Sequence, residues 1–200
     1  MLAEDSQLTF SAKSPPPKKV DTNRKYLLPH EIDLLMKAAK TTGRHRNRDV
    51  AIILMMFRHG LRSAELVYLK WQHIDLMGGN IDITRVKGSN DGRHPLRNEE
   101  LRLLRKLERN YPETQYVFVS ELKTPLTTRT VRHIIQRCGE KAGFKFPVHP
   151  HQLRHACGHY LASQGHDTRA IQDYLGHKNI HHTVRYTQMS PQRFEKFWND

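Results

Sequence analysis

The 200-residue sequence predicts a mainly helical α+β domain that carries one small antiparallel β-sheet. Three observations point there. Apolar residues recur at helical spacing along most of the chain from Leu28 onward. Period-two alternation is concentrated between Asn80 and Val86. The turn-forming run Gly88-Ser89-Asn90-Asp91-Gly92 follows that stretch almost at once.

Taken in order, Pro29 sits near a helix start, and Ile32, Leu34, Leu35, Met36 and Ala39 repeat with an amphipathic period that stops near Gly43. Val50 to Phe57 is apolar nearly all round, which predicts a helix buried on every side that runs to Gly60. A second short helix follows, with Ala64, Leu66, Val67 and Leu69. Ile81, Ile83 and Val86 alternate with polar residues as in a half-buried strand, and Arg93 to Arg97 can return as its partner, so the hairpin carries Lys87 at its tip. Leu101, Leu103, Leu104 and Leu107 restore a helical pattern, and residues 116–119 form a short extended run. Four further helical segments are predicted at about 127–142, 150–164, 167–175 and 180–187, and a last one at about 190–199.

Residues 1–25 read differently. Pro15-Pro16-Pro17 and Lys18-Lys19 come with almost nothing to bury, which predicts a flexible basic arm, either a simple tail or a strap on a polyanion. The rest, 26–200, is long enough for one domain with its own core.

Lysine and arginine number 33 against 20 aspartate and glutamate, a net charge of +13. An excess of this size favours a polyanionic partner, since each cation placed on a phosphate releases a condensed counterion. A solvated basic surface or binding at a membrane surface is the alternative that charge alone leaves open. No stretch approaches the roughly 20 apolar residues of a membrane span. The first ten residues lack a signal-peptide pattern, and two cysteines, Cys138 and Cys157, are too few for a disulfide framework. A reduced cytoplasmic compartment fits these features.

The strongest local signal is His151-Gln152-Leu153-Arg154-His155 after Pro150, where His151 and Arg154 share one helix face and can reach one anion. Leu175-Gly176-His177 and Val184-Arg185-Tyr186 follow. Upstream, His59-Gly60-Leu61-Arg62-Ser63-Ala64-Glu65 places an arginine at a helix start, where free N–H groups and the macrodipole favour an anion.

These residues resemble the tyrosine recombinase (phage integrase) family. The resemblance rests on Arg62 with Glu65 and Leu66, Lys87, His151 with Arg154, His177 after Leu175-Gly176, and Tyr186 nine places later. It covers about 26–200. Within the family, the short chain and the runs His149-Pro150-His151-Gln152-Leu153-Arg154-His155-Ala156-Cys157-Gly158 and Ile171-Gln172-Asp173-Tyr174-Leu175-Gly176-His177 are most similar to the bacterial fimbrial phase-variation invertases.

The chemistry explains these residue types. A phosphodiester under attack passes through a five-coordinate state with extra negative charge. Two guanidinium forks can bind its non-bridging oxygens and keep their charge at any working pH. Arg62 and Arg154 are the candidates for that clamp. A phenol with a reference pKa of about 10 needs a base and a positive field to attack. The resemblance implies that Tyr186 is the nucleophile, that His151 assists its deprotonation, that Lys87 protonates the departing 5′ oxygen and that His177 hydrogen-bonds the phosphate. Glu65 would orient an arginine or histidine, and His155 would support the helix that carries Arg154. The 3′-phosphotyrosine would conserve the ester's energy, so no cofactor, nucleotide or metal is expected, and no G-x-x-x-x-G-K-[ST] loop is present.

Taken singly, each residue has a plainer reading: a capping arginine, a hairpin-tip lysine, a helix-surface glutamate, structural histidines or a half-buried tyrosine. The histidines also raise the possibility of zinc, since His151, His155 and His159 are spaced by four and His181-His182 lie nearby, but no cysteine pair has ligand spacing.

Phe194, Phe197 and Trp198 recur at helical spacing. They suit either core packing or, by resemblance, a helix docked on a neighbouring subunit. The resemblance further implies double-stranded DNA as partner, a homo-tetramer on two paired sites, and possible help from accessory DNA-bending proteins at the bacterial nucleoid. Arg129, Arg132 and Lys145 are candidate DNA contacts. The chain departs from most of the family in leaving no room for an additional N-terminal DNA-clamping domain, and in having Gln188 where a histidine is common. The expected activity is site-specific recombination, inverting or excising a DNA segment. A type IB topoisomerase-like relaxing activity and a non-catalytic DNA-binding regulator on the same fold are the alternatives.

Overall fold

Four helices begin with one local device. The third helical residue reaches back with its side chain to the N–H of the residue before the helix, which satisfies a donor that no helical carbonyl can reach. Glu31 does this for Leu28 at 2.8 Å, and Glu65 for Arg62, Glu100 for Arg97 and Gln152 for His149 at 2.9 Å each. Pro29 and Pro150 stand at the first helical position of two of them, where the missing N–H costs nothing. Thr127 and Asp167 cap two others through their side-chain oxygens.

The computed structural model describes residues 25–86 and 89–188. Helices α1 (Pro29–Thr41), α2 (Arg46–His59) and α3 (Ser63–Val67) lead through a 3₁₀ turn (Trp71–His73) to strands β1 (Ile74–Asp75), β2 (Asn80–Ile83) and β3 (Gly92–Pro95). Helices α4 (Asn98–Asn110), α5 (Thr128–Lys141), α6 (Pro150–Ser163), α7 (Thr168–Leu175) and α8 (His181–Thr187) complete the described part. The strands form one antiparallel sheet in the order β1-β2-β3, with Ile81 opposite both Ile74 and His94.

Helix α2 is the centre of the core. Val50 through Met56 are all buried, and α1, α3, α4, α5 and α6 pack around the helix. This is what an uninterrupted apolar run predicts. A smaller buried cluster of Cys157, Ala162, Ile171, Leu175 and Tyr186 joins α6, α7 and α8. No described helix is long and apolar enough to cross a membrane.

The expected mainly helical class with a small antiparallel sheet is what the structure has. The sheet differs in detail. Ile74–Asp75 adds a strand that is too short to show as alternation. Strand β2 ends at Ile83 rather than Val86, because the Arg85 N–H is taken by the Asp91 carboxylate at 2.7 Å instead of by a ladder carbonyl. The expected extended run at 116–119 makes only isolated bridges, Lys70 to Tyr116 and Val119 to Pro125. The arm up to residue 24, Lys87, and the segment with Phe194, Phe197 and Trp198 lie outside the described residues.

Candidate active site

Two helix C-termini meet at the site. Helix α2 ends at Gly60 and α7 at Gly176, both left-handed at φ +57° and +68°. The approach at Gly60 is close: a Cβ there would lie 2.4 Å from Leu175 Cδ2. The last carbonyls of both helices are therefore brought side by side, and they form a partly negative surface that attracts cations.

Two arginines bridge it. Arg154, from the second turn of α6, gives one N–H to the Gly60 carbonyl and another to that of Leu175 at 2.8 Å. Arg85, just after β2, bonds the carbonyls of Gly60 at 3.3 Å, His59 at 3.0 Å and Tyr174 at 2.8 Å. Glu65 lies beneath them. It accepts from Arg62 at 2.6 Å and from Arg85 at 2.9 Å, with Arg154 at 4.0 Å. Burial alone would raise the Glu65 pKa, but the Arg85 charge and the bonds from Arg62 outweigh it and hold the carboxyl below its usual value. Burial, then repulsion from Arg62 and Arg85, brings Arg154 down to about 10. It is still fully charged near neutrality.

Three guanidinium groups thus surround one carboxylate, which leaves an excess of positive charge in a partly enclosed place. Arg62 is the most open, with its side chain 26% exposed against 6% for Arg154. Uncompensated buried charge is costly, so the arrangement is best suited by an incoming anion.

His177 follows α7 and is buried beside these cations. Burial first, then Arg154 and Arg62, push its pKa down to about 3, so the ring is neutral. Its Nδ1 pairs with the Thr183 hydroxyl at 2.8 Å, and among the described residues no hydrogen bond takes up its Nε2.

Tyr186 lies on α8 and is 2% exposed. Its hydroxyl meets His155 Nδ1 at 2.9 Å, and its ring packs edge-on to His159 at 5.0 Å and parallel to His177 at 6.3 Å. Gly158 makes room for it, since a Cβ there would sit 2.5–2.7 Å from three ring carbons. Burial raises the phenol's pKa, with Arg154 and then Arg185 opposing. Burial, followed by Arg185 and other neighbours, lowers His155 to about 4, so this imidazole is neutral and can accept the phenol's proton in a hydrogen bond.

Of the residues expected at the site, Arg62, Glu65 and Arg154 come together around one carboxylate, His177 lies beside them, and Tyr186 packs against α6. His151 is exposed at the start of α6, and the histidine that touches the phenol is His155, which had been expected only to support its helix. Arg129, Arg132 and Lys145 are exposed, the first two on α5. The histidines weighed as zinc ligands are dispersed: His155 and His159 pack on Tyr186, while His151, His181 and His182 are exposed. Among the described residues no three histidine, cysteine or acidic side chains are grouped to hold a metal.

Sequence reasoning missed Arg85. Its signal was parity: it shares the inward phase of Ile81 and Ile83, so a charged residue occupied a core-facing position.

The order of helices and sheet, and the arginines around one carboxylate, can be set against known proteins. The phage integrase family's sequence profile matches residues 25–193. The type 1 fimbriae regulatory protein FimB of Escherichia coli K12 is 42% identical over 187 residues, covering 90% of this chain and 93% of FimB. FimE of the same strain is 40% identical over 183 residues, covering 88% and 92%. The crystal structure of XerA recombinase superposes with a TM-score of 0.72 at 30% identity, over 83% of this chain and 61% of that one. A match over most of the chain, on a fold that brings Arg62, Arg154 and Glu65 together, makes this protein a tyrosine recombinase of the phage integrase family.

Proposed function

We propose that the protein is a site-specific DNA recombinase in which Arg62 and Arg154 hold one backbone phosphate and Tyr186 attacks it, forming a 3′-phosphotyrosine and releasing a 5′ hydroxyl. The observation that carries this reading is donor accounting. Arg154 commits one N–H to each of two helix carbonyls and Arg62 commits its side chain to Glu65, so both guanidinium forks are held by the protein. Among the described residues no further hydrogen bond from either side chain takes up the remaining N–H groups of these forks. A phosphodiester oxygen can accept them, and the same fork holds the charge that develops during attack.

His177 donates from Nε2 to the phosphate. Lys87, two residues past Arg85, protonates the departing oxygen. The buried phenol must leave its bond to His155 to reach phosphorus, which requires α8 to shift when DNA binds. His151, exposed on the same face of α6 as Arg154, then receives the phenol's proton. Once attack is complete the ester's energy is stored in the phosphotyrosine, and a second 5′ hydroxyl can reverse the step on a new strand.

In this reading residues 26–200 form one catalytic domain, 1–25 a basic arm along the DNA, and Phe194, Phe197 and Trp198 an aromatic anchor on a neighbouring subunit. Four subunits would act on two paired sites, with accessory DNA-bending proteins bringing the sites together. Exposed Arg129, Arg132 and Lys145 would contact phosphates.

A supercoiled plasmid carrying two copies of the DNA flanking the native gene tests this. Restriction mapping after incubation should show the intervening segment inverted or excised according to site orientation. Relaxed plasmid with unchanged maps would mean topoisomerase-like activity, and intact supercoils with stable binding would mean a regulator.

A further inference from the structure

Arg85 is the most enclosed of the three guanidinium groups, with its side chain 1% exposed. One terminal nitrogen bonds Gly60 O and Glu65 Oε2, and the other bonds His59 O and Tyr174 O. That uses every N–H on both terminal nitrogens. Its Nε is walled in as well, since a Cβ on Gly176 would come within 3.2 Å of it. Unlike Arg62 and Arg154, Arg85 has nothing left to offer a phosphate. Its charge is also not a comfort to its neighbour, because it helps to depress Arg154.

A third buried cation next to two others is unfavourable unless its bonds do something that a neutral residue could not. Here they join four elements at one point: the C-terminus of α2, the first turn of α3 through Glu65, the C-terminus of α7, and the end of β2. Two of the four acceptors contacted also aim the other two arginines. Gly60 O is shared with Arg154, and Glu65 is shared with Arg62. The chain on the other side is fixed too, since the Arg85 N–H is held by Asp91 across the hairpin.

We propose that Arg85 is the positioning residue of the phosphate clamp: it fixes Glu65, which aims Arg62, and the Gly60 carbonyl, which aims Arg154, and it registers the hairpin over them, without touching the phosphate. This rests on the reading of Arg62 and Arg154 as phosphate ligands. Lysine cannot replace it, because a single ammonium lacks the planar fork that meets carbonyls from two helices and a carboxylate together.

The test uses the full chain and a nicked duplex cut from the stretch that the wild-type protein cleaves beside its own gene. Covalent trapping by the wild type, with none by Tyr186→Phe and none by an Arg154→Ala protein that still binds the duplex, establishes the underlying reading; trapping by either variant would sink that reading independently of Arg85. With it established, Arg85→Lys should bind the duplex within about threefold of wild type, yet cleave at saturating DNA about 30-fold or more slowly, as misplacement of catalytic groups does. Cleavage by folded Arg85→Lys within threefold of wild type would overturn the proposal. So would a defect that vanishes at saturating DNA, which would make Arg85 a DNA ligand. Should Arg85→Lys not fold, Asp91→Ala at an exposed position loosens the same anchor. It should slow saturated cleavage about fivefold, the effect of losing one hydrogen bond of ordinary strength, and an unchanged rate would overturn the proposal.

Discussion

The Tyr186 hydroxyl and His155 Nδ1 are 2.9 Å apart on the buried side of α6, with the tyrosine ring filling the space above Gly158. The nucleophile of the proposed reaction is therefore stored, protonated and out of water, bonded to the residue that follows Arg154 in the chain.

Storage should keep the phenol unreactive in the free protein. Nitration by tetranitromethane, read by peptide mass, should spare Tyr186 in the free protein and modify the exposed Tyr68. His155→Ala removes the hydrogen bond and should raise the nitration rate of Tyr186 about tenfold, the worth of one such bond. An equal rate in both proteins would show that packing alone holds the ring.

Arg154→Lys should cleave on the order of 100-fold more slowly than wild type in single-turnover assays. An ammonium can supply the charge, but it cannot bond Gly60 O and Leu175 O and still present a fork to the phosphate. DNA affinity should fall only modestly, because one phosphate contact among several is altered.

Acid should unfold this protein early. His94 and His177 are pushed down to about 3 and His155 and His159 to about 4, burial being the leading cause in each. Between those values and the unfolded pKa of about 6.5 the unfolded chain binds more protons than the native one. Stability therefore rises with pH across that window and is lost as pH falls from about 6.5 toward 4. Thermal melts at pH 7.5, 6, 5 and 4 should show a steep drop over the acidic half, and His94→Asn should make it shallower.

The exposed basic face of α5 should contribute to DNA binding mainly through charge. Arg129→Ala and Arg132→Ala should each lower the slope of log affinity against log salt by about 1. An unchanged slope would remove that residue from the phosphate contacts.

Much of this was legible in the sequence because its signals were local. Helix ends were marked by Pro29, Gly60, Pro150 and Gly176, and the apolar run at 50–57 announced a buried helix. Arg62, Arg154, His177 and Tyr186 could be picked out from short motifs. What could not be read were relationships between distant segments. That Arg85 would meet carbonyls of α2 and α7 depends on how the hairpin end docks, and the carboxylate that takes its backbone N–H is six residues away across a turn. Nor does spacing tell which histidine of α6 faces α8: His151 and His155 lie one turn apart, and a rotation of a few tens of degrees decides between them. Buried polar pairs such as His59 with Glu100 at 2.8 Å and His59 with His94 at 3.2 Å were hidden for the same reason.

The most direct test of the account is chemical mapping of the covalent adduct. Wild-type protein trapped on a nicked duplex from its own cleavage site, then digested, should yield a single nucleotide-bearing peptide modified at Tyr186, with a free 5′ hydroxyl on the released strand. Tyr186→Phe should bind the same duplex and yield none. An adduct on any other residue, a released 5′ phosphate, or trapping that survives Tyr186→Phe would contradict it.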